Sequence, residues 1–132
     1  MSAFHIAITI SKDSGMNIIS LISVFIGSGL GGVCRWVLSI YFNGHYPIGT
    51  FIANILGCFV LGFLTRFAPG SEYIRLLFMT GFCGGFTTFS TFMNESLTMM
   101  RGGQLLISLL YICVSLVFGL SAAWLGYQIS MR

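Results

Sequence analysis

Four long apolar stretches occupy almost the whole of this chain and restrict what it can fold into. They run from Ile18 to Ile40, from Ile48 to Phe67, from Ile74 to Leu97 and from Leu105 to Ile129. Because an α-helix rises about 1.5 Å per residue, about 20 apolar residues cross the roughly 30 Å hydrocarbon core of a bilayer. Turn residues such as those of Pro69-Gly70 separate the stretches. The pattern predicts an all-α integral membrane protein in which residues 16–132 form one bundle of four transmembrane helices.

The composition excludes a water-soluble domain. Only 7% of the 132 residues are charged and 56% are hydrophobic, whereas soluble domains carry about 25% charged residues. Residues 1–15 differ from the rest, because the apolar run 4–10 is too short to span a membrane and lacks a signal-peptide cleavage pattern. We expect residues 1–15 to be a tail outside the bundle, either disordered or a non-native extension, and we assign it no function.

The basic residues orient the chain only weakly. In a four-span topology one side of the membrane receives Lys12, Arg66, Arg75 and Arg132, and the other receives Arg35 and Arg101. The positive-inside rule needs a larger difference than this to fix an orientation. Two interpretations stay open: a single orientation with few loop charges, or insertion both ways, which would let two copies pair antiparallel. The net charge of +3 gives no indication of nucleic-acid binding.

Small residues recur four positions apart in every span. The pairs and triplets are Gly27/Gly31, Ala53/Gly57, Gly81/Gly85 and Ser115/Gly119/Ala123. This spacing is typical of closely packed membrane helices, and its presence on all four spans favours an oligomer. The segment 27–32, GSGLGG, also matches a dinucleotide-binding pattern, but it lies inside an apolar span and follows no strand, which excludes that function. The four cysteines have no metal-like spacing and are interpreted as packing residues.

Polar side chains inside the spans are candidates for function, because they are costly in a membrane. Asn54 lies mid-span with Thr50 one turn earlier, Glu95 is interpreted as the only acidic residue close to a span, and Arg35 is embedded in the first span. A polar stripe at helical spacing follows the fourth span: Gln104, Ser108, Tyr111 and Ser115. Structural hydrogen bonding is the alternative to a transport role for Asn54 and for the stripe. For Arg35 and Glu95, pairing with each other stays open. The spans contain no catalytic triad or dyad, so an enzyme is not expected.

The segment 81–92, GFCGGFTTFSTF, combines glycines with a row of hydroxyls inside the third span. Glycines lower helix stability and hydroxyls compete for backbone bonds, so we predict a break in this helix. Carbonyls released at membrane depth would suit a small hard cation such as Na⁺. Phe89 and Phe92 lie three residues apart, and the partially positive edges of their rings can attract an anion. Lipid contact or packing is the alternative for these rings.

The motif GFCGGFTTFSTF is preceded by GTFIANILG and GGVCRW and is followed by a polar fourth span. With these motifs, residues 16–132 closely resemble the CrcB/Fluc family of bacterial fluoride channels. The resemblance implies an antiparallel, dual-topology homodimer in the bacterial inner membrane, with two fluoride pores at the subunit interface. It implies passive export of cytoplasmic fluoride down its electrochemical gradient. It also implies a structural Na⁺ on the dimer axis, held by the backbone carbonyls of Gly84 and Thr87 from each subunit.

The same resemblance assigns the other candidate residues. Phe89 and Phe92 would line the fluoride pathway, and the remaining pathway residues would be Asn54, Thr50, Tyr111, Ser115, Thr88 and Ser90. Arg35 and Glu95 correspond to further polar positions of the family. Phe86, where leucine is common, and Met93-Asn94, where Ser-Ala is usual, depart from the pattern without touching the assigned pore residues.

Two other functions are weighed against a fluoride channel. A small four-helix proton-coupled multidrug transporter depends on a glutamate in its first helix, and the first span of this chain contains no acidic residue. A membrane subunit without transport of its own would leave the glycine–threonine–phenylalanine motif unexplained. Substitutions at Phe89 or Asn54 would then change stability and leave ion flux unaltered.

Overall fold

The computed structural model describes residues 17–67 and 70–130. The predicted tail at residues 1–15 lies outside the described part of the chain. The helical elements are α1 (Ile18–Phe42), α2 (Ile48–Phe67), α3 (Glu72–Arg75), a π-helical segment (Leu76–Cys83), α4 (Gly84–Phe86), α5 (Phe89–Arg101) and α6 (Leu105–Ile129). Within these described residues, four helical stretches are long and apolar enough to cross a membrane: α1, α2, the path from Glu72 to Arg101, and α6. The predicted all-α, four-span architecture is confirmed.

The third span (Glu72–Arg101) is longer than the apolar pattern predicted, because a polar turn extends it at each end. Glu72 is its first residue, so Glu95 is not the only acidic side chain on a span. The span changes character along its length. Wider π-helical turns cover Leu76–Cys83, and α4 and α5 are separated by two residues with extended backbone.

Those two residues are Thr87 (φ −83°, ψ 153°) and Thr88 (φ −148°, ψ 120°). Neither conformation is helical. The side chain of Thr88 then accepts the Thr91 N–H and so caps the N-terminus of α5.

Glycines allow the helix backbones to approach closely, as two of the helix pairs show. α1 packs against the third span, where a Cβ on Gly27 would collide with the Leu77 carbonyl and one on Gly31 with the Phe82 carbonyl. α2 packs against α6, where a Cβ on Gly62 would collide with the Ala123 carbonyl. The face formed by Gly27 and Gly31 is thus occupied inside one subunit. The oligomer that the small-residue spacing favours stays a prediction, since a sequence does not say which helix a face packs against.

Candidate functional site

An open groove of about 1060 Å³ lies between α2, the third span and α6. Its lining includes these predicted site residues: Asn54, Gly84, Thr87, Thr88, Phe89, Phe92 and Ser115. They come from three separate stretches of sequence, so the fold brings them together. Thr87 and Thr88, the two extended residues of the third span, form part of the groove wall.

Asn54 holds the extended segment in place. Its side-chain Oδ1 accepts the Thr88 backbone N–H at 2.8 Å, and its Nδ2 donates to the Thr88 carbonyl at 3.2 Å. One amide thereby bonds to both backbone polar groups of Thr88, whose N–H donates to no helical carbonyl. Such groups are costly to leave unpaired at membrane depth, so this pairing permits the non-helical conformation.

Two backbone carbonyls lose their helical partners at this point. In a continuous α-helix the N–H of residue i bonds to the carbonyl of residue i−4, so Thr88 would bond Gly84 and Thr91 would bond Thr87. The Thr88 N–H instead donates to Asn54, and the Thr91 N–H donates to the Thr88 hydroxyl oxygen at 3.2 Å. The Gly84 and Thr87 carbonyls are the two that the family resemblance assigns to Na⁺, and both residues line the groove. Their chemistry fits a hard cation, which takes oxygen ligands.

A third carbonyl of the same turn is satisfied by Arg35. The Arg35 Nε donates to the Gly85 carbonyl at 3.2 Å, where α4 ends. A guanidinium at the last turn of a helix is favourable, since the final carbonyls of a helix lack intrahelical donors. Arg35 therefore contacts the third span through its backbone, and the partners of Glu95 among the described residues are neutral side chains.

Thr87 is held by local bonds and by close packing. Its backbone N–H and its hydroxyl both donate to the Cys83 carbonyl, at 2.9 and 2.8 Å. Its methyl group lies where a Cβ on Gly57 of α2 would be. The absence of a side chain at Gly57 therefore makes room for the extended segment.

The two phenylalanines of the motif occupy different environments. Phe89 is 74% exposed, whereas Phe92 is only 4% exposed. Their ring centroids lie 6.3 Å apart, and the Phe92 centroid lies 5.0 Å from that of Tyr111. Phe92 therefore connects the groove to a second group of polar residues deeper between the helices.

That second group centres on Glu95. Its Oε1 accepts the Thr50 hydroxyl at 2.6 Å and the Asn43 amide at 3.2 Å, and its Oε2 accepts the Tyr111 hydroxyl at 3.1 Å. Asn43 also donates to the Thr50 hydroxyl at 3.1 Å and accepts the Thr50 N–H at 3.2 Å. These bonds form one cluster, which we call the Glu95 cluster. It contains three predicted residues, Glu95, Thr50 and Tyr111, together with Asn43.

Sequence reasoning missed Asn43. It was interpreted only as part of a turn, because it follows the first span and precedes a glycine. The signal that could have found it is an amide side chain at the boundary of a span, seven residues before a buried threonine.

Three of the remaining predicted residues have different environments. The Ser115 hydroxyl lines the groove and is buried without a hydrogen-bond partner among the described residues. Ser90 is exposed and belongs to neither group. Ser108, a member of the predicted stripe on the fourth span, donates to the Ser96 carbonyl at 2.8 Å and is fully buried, so its hydrogen bond is structural.

Comparison with known proteins decides the family. The family model described as "CrcB-like protein, Camphor Resistance (CrcB)" matches residues 22–127. The chain belongs to the CrcB family. This match covers the second and third spans of the CrcB chain completely and the first and fourth spans except their outermost residues.

Several relatives of this CrcB chain carry the name "Fluoride-specific ion channel FluC". The one from Phocaeicola vulgatus is 44% identical over 118 residues, covering 84% of this chain and 98% of the relative. The one from Flavobacterium psychrophilum is 37% identical over 115 residues, covering 81% and 93%. "Fluoride-specific ion channel FluC 2" from Rhodococcus jostii is 39% identical over 113 residues, covering 84% and 98%.

Proposed function

We propose that this CrcB chain is a fluoride channel of the bacterial inner membrane, through which cytoplasmic fluoride leaves passively down its electrochemical gradient. The observation that carries the proposal is the position of Phe92. Its ring lines the groove on one side and packs against Tyr111 of the Glu95 cluster on the other. The choice of fluoride as the ion comes from the names of the relatives. The side chains of this chain provide uncharged hydrogen-bond donors for it.

The path suits a small anion without binding it too tightly. Its donors are ring edges, hydroxyls and amide N–H groups. Arg75, at the start of the third span, is the one basic residue among the described residues that line the groove. Ring edges attract an anion weakly, and hydroxyls and amides donate hydrogen bonds without a full charge. Conduction requires binding that is favourable enough to admit the ion and weak enough to release it.

The Glu95 cluster supplies the donors beyond Phe92. Fluoride accepts hydrogen bonds strongly, and Thr50, Tyr111 and Asn43 all present donors to the same carboxyl group. We place fluoride passage along these donors, with the anion taking over bonds that Glu95 accepts when no anion is present. Ser115 and Thr88 supply hydroxyls on the groove side. Ser90, which is exposed and belongs to neither group, stays a prediction from the family resemblance.

The groove also supports an antiparallel, dual-topology homodimer with two pores. Phe89 is exposed at the groove, and a second copy packed there would cover its ring. The weak bias of the basic residues permits both orientations. In this arrangement the exposed Phe89 of each subunit completes a pathway with the buried Phe92.

The interruption between α4 and α5 is, in this proposal, a functional break that holds a structural Na⁺. The carbonyls of Gly84 and Thr87 would be its ligands, because their helical donors are bonded elsewhere. A cation there would supply a fixed positive charge that holds the two copies of the segment together. Asn54, Arg35 and Gly57 keep the segment in its extended form.

The decisive experiment is fluoride efflux from liposomes that contain the purified protein, with chloride efflux measured in parallel. We expect rapid fluoride release, little chloride release, and a large loss of fluoride release in Phe92→Ile. The matched control is Phe25→Ile, the same change on a ring of α1 that is 81% exposed. Absence of fluoride release from well-folded protein, or equal effects of the two substitutions, would contradict the proposal.

A labelling experiment tests the orientation. Gly44 lies in an exposed loop with open space around it, so Gly44→Cys in a background with the native cysteines replaced gives one reporter. A membrane-impermeant thiol reagent added outside intact vesicles should label about half of the molecules if both orientations are inserted equally. Complete labelling or none would show a single orientation and would contradict dual topology alone.

A further inference from the structure

A second cavity, of about 320 Å³, lies between the C-terminal halves of α2 and α6. It is lined by Gly62, Thr65, Leu120, Ala123, Trp124 and Tyr127. Most of these side chains are apolar or aromatic, and Leu120 and Trp124 are exposed. The cavity therefore opens where a membrane-embedded subunit meets its surroundings, close to the end of both helices.

A basic side chain stands at the rim of this cavity. The Arg66 Nη1 donates to the Tyr127 hydroxyl at 3.1 Å, and the Arg66 Cζ lies 5.5 Å from the centre of the Tyr127 ring. The Trp124 ring centroid lies 6.1 Å from that of Tyr127. A guanidinium carries five N–H donors, and the bond to Tyr127 uses one of them.

We propose that this cavity is a binding site for one anionic phospholipid, with its phosphate at Arg66 and an acyl chain in the cavity. Arg66 is exposed and is the next-to-last residue of α2, so it lies at the depth of the head groups when α2 spans the bilayer. Tyr and Trp side chains favour the same depth, because their rings are amphipathic. The guanidinium fork matches phosphate oxygens in two-point geometry.

Charge selects this occupant over a neutral lipid. Basic pockets between transmembrane helices are known to bind anionic head groups, and each basic side chain near the surface contributes about 1 kcal/mol. The Arg66–Tyr127 contact orients the guanidinium over the mouth of the cavity instead of leaving it to extend into water. Thr65, Leu120 and Ala123 line both this cavity and the groove, whereas Gly62, Trp124 and Tyr127 line this cavity alone. No residue assigned to the fluoride pathway lines the cavity, and the proposal does not rest on the proposed channel function.

Trp124 provides a direct readout, because it lines the cavity and is one of only two tryptophans in the chain. In a Trp36→Phe background, quenching of Trp124 fluorescence is measured in phosphatidylcholine vesicles that contain a small fraction of lipid with brominated acyl chains. Brominated phosphatidylglycerol is compared with brominated phosphatidylcholine of the same chains. We expect quenching to reach half of its maximum at an about fivefold lower membrane fraction of the anionic lipid, the difference in affinity that corresponds to one basic side chain.

Arg66→Gln should abolish that preference, and Arg66→Lys should retain part of it. Arg101→Gln is the matched control, since Arg101 is exposed at the end of α5 and lines neither cavity. Raising the salt concentration should weaken the preference of the unsubstituted site, because an exposed charge pair is screened. The salt dependence is measured on the unsubstituted protein, so it tests the proposal even where a variant folds poorly.

Three results would overturn the proposal. The first is equal quenching by the two brominated lipids at low salt. The second is a preference for the anionic lipid that persists in Arg66→Gln. The third is no quenching by either lipid, which would mean that protein covers the cavity.

Discussion

The side-chain amide of Asn54 hydrogen bonds to both backbone polar groups of Thr88, across 34 positions of sequence. This pairing ties α2 to the point where the third span leaves helical geometry. Because the Thr88 N–H is taken by Asn54, the Gly84 carbonyl loses its helical donor. A single amide therefore both stabilises an extended segment and leaves a backbone oxygen available to a ligand.

Asn54→Asp should destabilise this segment. The remaining acceptor can still take the Thr88 N–H, but a second oxygen would replace the Nδ2 donor that faces the Thr88 carbonyl at 3.2 Å. We expect the free energy of unfolding to fall by about 1–3 kcal/mol, the cost of an unsatisfied buried group, and fluoride efflux to fall with it. Thermal unfolding in detergent and liposome efflux measure the two effects. Asn94→Asp makes the same change at an exposed position of α5 and should leave both unchanged.

Thr88→Val should weaken the dependence on Na⁺. The hydroxyl oxygen of Thr88 accepts the Thr91 N–H, and its removal lets that N–H bond to the Thr87 carbonyl, as in a continuous helix. Loss of an N-cap also costs about 1 kcal/mol. We expect the stabilisation by added Na⁺, measured as a shift in the thermal unfolding midpoint, to become smaller than in the unsubstituted protein.

Thr98→Val is the control for that substitution. The Thr98 hydroxyl donates to the Asn94 carbonyl within α5 and is exposed, so its loss affects no residue of the groove. The Na⁺ dependence should be unchanged in Thr98→Val. An unchanged Na⁺ dependence in Thr88→Val as well would show that the Thr87 carbonyl is not a ligand.

The apolar pattern of the sequence predicted the bounds of the spans well. It did not predict which helix each span packs against. The second and fourth spans begin and end where the hydropathy predicted, because membrane thickness sets the length of each apolar run. The small residues identified close packing but not its partner, since periodicity describes one helix at a time. Gly27 and Gly31 pack against the third span of the same subunit.

The sequence predicted individual polar residues as candidates for the site, but it did not predict the hydrogen bonds between them. Asn43 and Glu95 are 52 positions apart and meet only because the end of α1 lies beside α5. Arg35 and Glu95 have opposite charges, yet Arg35 bonds to a carbonyl that the end of α4 leaves without a helical donor. Hydrogen-bond partners of this kind depend on tertiary structure, which local sequence patterns do not encode.

Tyr111→Phe should separate the polar role of Tyr111 from its packing role. The phenyl ring keeps the contact with Phe92, while the hydroxyl that donates to Glu95 Oε2 at 3.1 Å is lost. A hydrogen bond contributes about 0.5–1.5 kcal/mol to stability, so the loss of stability should be small. Fluoride efflux should fall more than stability does, because one donor of the proposed path is missing. Tyr41→Phe, at an exposed residue of α1, is the control, and equal efflux in the two variants would contradict a role for the Tyr111 hydroxyl.

Gly57→Ala tests whether close packing by α2 holds the extended segment. The new methyl group would occupy the space of the Thr87 methyl group, and both residues lie at the groove wall, so Thr87 and its carbonyl must move. We expect a loss of about 1–3 kcal/mol of stability, the usual cost of overpacking, together with reduced fluoride efflux and a weaker response to Na⁺. Gly29→Ala is the matched control, since a Cβ at Gly29 meets nothing within 4 Å. A glycine inside a helix costs roughly 0.5–1 kcal/mol relative to alanine, so Gly29→Ala should be slightly stabilising. Normal efflux and a normal Na⁺ response in Gly57→Ala would show that the position of Thr87 does not determine conduction.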